Sequence, residues 1–124
     1  MQQIAGWMRQ GLPATGPVHL VCPLTVGRHV DHRLVRAACE ALGLPLWYYA
    51  DYPYSAKGGF EVSQWLAHDR GYARRISPAA LAAWQEAAAA YASQLSSFWR
   101  DAAEMRQKIT DYALQPAGHS LWRS

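Results

Sequence analysis

Two short, unbroken apolar runs, Val18-His19-Leu20-Val21-Cys22 and Leu46-Trp47-Tyr48-Tyr49-Ala50, constrain this chain more than any other feature. Each has the length of a strand, and prolines bound the first at Pro17 and Pro23. Between them, from Asp31, the apolar positions Leu34, Val35, Ala38, Cys39 and Leu42 recur at helical intervals until Gly43. Residues 18 to 50 thus spell strand, helix, strand within about the thirty residues a βαβ crossover occupies. The expectation is a pair of parallel strands buried on both faces, in an α/β fold: a partial Rossmann-like parallel sheet followed by C-terminal helices.

The flanks are read the same way. Ile4, Trp7, Met8 and Leu12 predict a short helix over residues 2 to 10, ended by Gly11. Ser77 before Pro78 predicts a helix start, and an alanine-rich helix runs on to residue 95 with an apolar stripe of Leu81, Trp84, Ala88, Tyr91 and Leu95. A further helix is expected from Phe98 to Leu114, stopped by Gln115-Pro116-Ala117-Gly118. The expectation is one domain over 1–124, with a βαβ part over 1–60 and a mainly helical part over 61–124.

With 51% hydrophobic and 17% charged residues in 124, the chain has the composition of a globular domain. Its net charge of +3 is spread out, with only Arg74-Arg75 adjacent, so no stripe able to track phosphates appears and nucleic acid is not an expected partner. Cys22 and Cys39 are too few for a disulfide framework, no signal peptide is evident and no apolar stretch approaches the ~18 residues of a membrane span, so a cytoplasmic setting is the default expectation.

In open α/β sheets ligands bind beyond the carboxyl ends of the strands. That edge gathers Leu24 to His32 after the first strand and Asp51 to Tyr54 after the second, so His29, Asp31, His32, Asp51 and Tyr52 should share one rim. Two imidazoles and two carboxylates there can bind a metal or move protons. The competing reading has Asp31 capping the helix and both histidines solvated. Arg28 and Arg33, beside them, are either solvated or poised to meet a phosphate or carboxylate of a ligand.

The string Cys22-Pro23-Leu24-Thr25-Val26-Gly27-Arg28-His29-Val30-Asp31-His32 resembles the segment P-L-x-x-G-x-H-x-D-H of PIG-L (LmbE-like) de-N-acetylases. Tyr49-Ala50-Asp51-Tyr52-Pro53-Tyr54 is similar to that family's Y-E-D-L-P-Y, and Tyr91-Ala92-Ser93-Gln94 to its Y-x-S-Q. The stretch from Gly118 to Trp122 resembles its closing G-G...E-x-L-W without the acidic residue. The resemblance implies a mononuclear zinc that activates water to hydrolyse the N-acetyl amide of a glucosamine-type substrate. It implies that His32 is a zinc ligand, that His29 stabilises the oxyanion or protonates the leaving amine, and that Asp31 orients His29. Asp51, Tyr52 and Arg28 would meet the substrate.

The family's first motif, A-H-P-D-D-E, which supplies two more ligands and the general base, is absent from this sequence. His19, His68-Asp69 and His119 read as structural rather than as substitutes. One histidine cannot hold a catalytic zinc, which needs about three protein ligands, so the zinc site is expected to be incomplete and the chain inactive alone. An amino-terminal half or a second copy is a possible partner. The alternative is a non-catalytic interaction or pseudoenzyme module of the same fold.

Overall fold

The computed structural model describes residues 2–67 and 70–123; His68 and Asp69 lie outside them. The backbone divides into two compact units, one of Met1–Tyr72 with Leu121–Ser124 and one of Ala73–Ser120.

In the first unit, helix α1 (Gln2–Gly11) packs on helix α2 (Val30–Glu40) through buried Ala5, and the Arg9 guanidinium donates to the Leu42 carbonyl at 3.2 Å. Strands β1 (Leu20–Pro23) and β2 (Leu46–Tyr49) are parallel, with Leu20 opposite Leu46 and Cys22 opposite Tyr48. The chain thus makes the expected crossover. His19 precedes β1 and is exposed, not part of a buried strand.

The sheet is larger than the two runs predict. Strand β4 (Ser120–Arg123) lies antiparallel to β2, pairing Trp122 with Tyr48, and β3 (Arg70–Ala73) completes the order β1-β2-β4-β3. The sheet is therefore mixed. Both added strands have four residues, too few for an alternation of period two to stand out from a loop or helix tail.

Burial also departs from expectation. Cys22, Leu46, Tyr48 and Trp122 are buried, whereas on the opposite face Val21 is 45% exposed and Tyr49 38% exposed. That face is only partly covered, Trp47 being half-buried against Tyr72 with ring centres 4.9 Å apart, and Val30, Leu34 and Val35 on the first turns of α2 are exposed as well. Only the later part of the helix's apolar stripe, Ala38, Cys39 and Leu42, is buried. Helix and sheet are tied by Arg36, which stacks 5.0 Å from the Tyr48 ring centre, donates to the Leu24 carbonyl at 2.9 Å and pairs with Glu40 at 2.8 Å.

Cys22 and Cys39 are free thiols facing each other between β1 and α2. Burial, reinforced by Cys39, pushes the Cys22 thiol up to about 12, and burial raises Cys39 as well. The thiolate is the reactive form. Both cysteines should therefore resist iodoacetamide at about pH 8 in the native chain and react readily in urea; fast labelling without denaturant would contradict their burial.

The second unit holds α3 (Pro78–Ala90), α4 (Ala92–Phe98), α5 (Ala102–Ala113) and the short α6 (Pro116–His119). Ser77 caps α3 as expected, its hydroxyl accepting the Ala80 N–H at 3.1 Å. The two long helices predicted for this region are each interrupted. Tyr91 leaves helical geometry (φ −85°, ψ 55°) and is 71% exposed, so it is not part of an apolar stripe. Asp101 starts α5 afresh by accepting the Glu104 N–H at 2.8 Å, while Glu104 accepts the Arg100 N–H at 2.6 Å. These reciprocal bonds satisfy amides that a continuous helix would have paired internally. Met105, Ile109, Tyr112 and Ala113 bury the inner face of α5, and Gln85 of α3 donates to the Arg106 carbonyl and the Thr110 hydroxyl, both at 3.0 Å.

Candidate functional site

The loop from β1 to α2 carries the expected motif in a tight turn. Thr25 (φ 68°) and Arg28 (φ 54°) are both left-handed, an uncommon state for a β-branched residue, and the Arg28 N–H donates to the Thr25 carbonyl at 2.9 Å. The turn leaves Arg28 exposed and delivers His29 to the start of α2.

His29, not Asp31, caps that helix. Its Nδ1 accepts the Asp31 backbone N–H at 3.3 Å, so the ring proton of the neutral imidazole belongs on Nε2. The Asp31 carboxylate stands 3.8 Å from Nδ1 with 74% of its side chain exposed. Asp31 therefore touches His29 chiefly through its main chain, because a nitrogen that accepts from that amide has no proton to give the carboxylate.

One turn further, the His32 ring lies 5.3 Å from the His29 ring, centre to centre. Its Nδ1 approaches Asp51 Oδ1 to 2.6 Å, with 31% of the His32 side chain exposed and none of Asp51. The two atoms meet off the axis of a straight N–H···O bond, and neither has another partner among the described residues. Asp51 follows β2; its Oδ2 accepts the Val26 N–H at 3.1 Å, and its carbonyl accepts the Ser55 N–H at 2.8 Å. Asp51, expected to meet a substrate, thus turns its carboxylate inward between the β1–α2 loop and His32. Tyr52 is half-buried beside it.

Tyr54, singled out by nothing but the similarity of its segment, closes this rim. Its ring meets His32 edge-on at 6.1 Å and lies flat against Gly27, where an added Cβ would enter the ring. Gly27→Ala should displace Tyr54, lower the unfolding free energy by about 1–3 kcal/mol and shift the His32 ring protons. A unchanged denaturation midpoint with unchanged His32 signals would refute this packing.

Of the other histidines, His119 sits in the second unit with Nδ1 3.1 Å from the Ala113 carbonyl. It borders a pocket of about 480 Å³ lined by Arg75, Ile76, Leu81, Thr110 and Leu114, none of them an expected site residue. Among the described residues no three His, Cys, Asp or Glu side chains converge to hold a metal ion.

Structural comparison places this architecture among solved deacetylases. The chain superposes on the zinc-inhibited form of teicoplanin deacetylase Orf2 with a TM-score of 0.70 at 18% identity, covering 99% of this chain and 52% of that one. The fold is that of about half of the teicoplanin deacetylase. A triple mutant of the deacetylase from the teicoplanin pathway gives a TM-score of 0.69 at 18% identity over 58% of its chain, and a deacetylase–bog complex gives 0.68 at 19% over 53%. This chain spans a little over half the length of these deacetylases. No protein-family model and no curated protein sequence matches it. Among the described residues, no helix is long and apolar enough to cross a membrane.

Proposed function

We propose that this chain forms part of a zinc-dependent hydrolase that removes the N-acetyl group from a glucosamine-type substrate, and that it is inactive by itself. The observation that supports this most is the His32–Asp51 pair. A carboxylate against Nδ1 leaves Nε2 for a metal, the arrangement in which ligating histidines are commonly held. The described residues fit His32 as one ligand of a zinc and do not complete a site, since no three donor side chains converge among them.

When bound, the zinc would supply Lewis-acid polarisation of the amide carbonyl and a water nucleophile. His32 would hold it through Nε2. His29, with its proton on Nε2, would donate a hydrogen bond to the oxygen of the tetrahedral intermediate or pass that proton to the departing amine. Asp31 would set the His29 ring through its amide, and Arg28 and Tyr52 would face the substrate. The remaining ligands and the general base would come from a polypeptide carrying Ala-His-Pro-Asp-Asp-Glu, either an amino-terminal half or a second chain. The exposed Val21 and Tyr49 side chains on the sheet give such a segment apolar surface to bury.

The test is hydrolysis of an N-acetylglucosaminide under zinc titration. The 124-residue chain should show none, and adding a polypeptide with the first motif should restore it. Zinc-dependent activity from the chain alone would sink the half-site reading. The absence of three converging donors among the described residues also favours a second reading, a non-catalytic module of the same fold; no activity in the reconstituted sample would select it.

A further inference from the structure

The geometry points to Asp51 as the positioning residue for His32: it dictates which ring nitrogen carries the proton and so which nitrogen is offered to a ligand. This rests on the reading of His32 as a zinc ligand for its use, but not for its geometry.

The Asp51 side chain is fully buried, and the ion pairs among the described residues give it no Lys or Arg. Its Oδ2 accepts the Val26 N–H at 3.1 Å and its Oδ1 lies 2.6 Å from His32 Nδ1. An ionised carboxylate only accepts hydrogen bonds. Against an ionised Asp51, a neutral His32 escapes lone-pair repulsion at this 2.6 Å separation only with its proton on Nδ1, which leaves the lone pair on Nε2. The same carboxylate anchors the loop bearing Thr25 to Arg28, so the loop and the imidazole are set by one side chain.

A purely structural Asp51 would need only its bond to Val26, and Asp51→Asn separates the two roles. The asparagine carbonyl can still accept the Val26 N–H, which directs its NH₂ at His32 Nδ1; the reverse orientation would face two donors at Val26. The loop anchor is kept while the demand on His32 is inverted. Nδ1 must then accept, and the proton moves to Nε2.

The experiment reads the His32 ring nitrogens by ¹⁵N NMR at a pH where the imidazole is neutral, with His32→Gln to assign the signals. The wild-type chain should show a protonated Nδ1 and a bare Nε2, and Asp51→Asn the opposite pattern. On adding zinc chloride to the chain reassembled with a polypeptide carrying Ala-His-Pro-Asp-Asp-Glu, the wild-type Nε2 signal should shift, and the zinc concentration needed should rise roughly tenfold in Asp51→Asn, the low end for loss of a carboxylate behind a ligating histidine. A wild-type ring protonated on Nε2, or an Asp51→Asn spectrum unchanged from wild type, overturns the proposal. If the tautomer inverts as expected but zinc leaves the wild-type Nε2 signal in place, Asp51 positions the ring as inferred and the zinc-ligand reading of His32 falls instead.

Discussion

In an enzyme reassembled with a polypeptide bearing the Ala-His-Pro-Asp-Asp-Glu motif, His32→Ala should abolish zinc binding and hydrolysis together, whereas His29→Ala should leave zinc bound and lower kcat by roughly 10²–10⁴-fold. The two rings are only 5.3 Å apart, yet their surroundings differ. His32 is braced by a fully buried carboxylate, and its removal takes away the one imidazole so braced among the described residues. His29 has 47% of its side chain exposed and caps the helix through Nδ1, leaving Nε2–H as a hydrogen-bond donor. A donor that acts only on developing charge affects turnover more than metal affinity. Zinc content and kcat measured on both variants decide the matter. Equal zinc loss in the two would mean that His29 is itself a ligand, and full zinc retention in His32→Ala would remove His32 from the metal.

Gly118→Ala should cost about 3 kcal/mol, near the upper end for overfilling a packed site. An added Cβ would press into the Tyr112 carbonyl and come within 3.0 Å of the Ala113 Cα. These are main-chain atoms of α5, which cannot rotate aside as a side chain could, and Tyr112 and Ala113 are themselves buried. The urea midpoint should fall markedly with circular dichroism as the probe. Gly6→Ala is the control: it lies inside α1 with nothing within 4 Å of its Cβ position. That change should be neutral or stabilise by about 0.5–1 kcal/mol, from helix propensity alone. Equal midpoints for Gly118→Ala and wild type would refute the close approach of α6 to α5.

The elements visible in the sequence are those whose apolar residues are contiguous or periodic. The runs around Leu20 and Leu46 and the stripe ending at Leu42 mark β1, β2 and the buried end of α2. β4 escapes this reading because Trp122 is buried against residues distant in sequence, its strand partner Tyr48 together with Phe60 and Gly71, which no local pattern contains. The interruptions at Tyr91 and Asp101 were hidden by the helix-favouring alanines beside them, Ala87 to Ala90 before Tyr91 and Ala102-Ala103 after Asp101. At the site, the motif located His29 and His32, but the pairing of His32 with Asp51 depends on where β2 ends and which way its next side chain turns. A signal was present in the Asp-x-x-Glu spacing at Asp101 and Glu104, which matches a helix start.

The order β1-β2-β4-β3 makes the sheet discontinuous in the chain, since the whole of the helical unit is spelled out between β3 and β4. That unit is in effect a long loop closed by the sheet. Loop-closure entropy grows only with the logarithm of loop length, about 0.6 kcal/mol for each doubling. If the helices melt, the ends of that segment are no longer held together, and pairing Trp122 with Tyr48 then bears the closure cost of a flexible loop of roughly fifty residues, on the order of 3 kcal/mol. Loss of order in the helical unit should therefore loosen β4 before the parallel β1–β2 pair and the His32 rim, whose hydrogen exchange would outlast that of β4, α3 and α5.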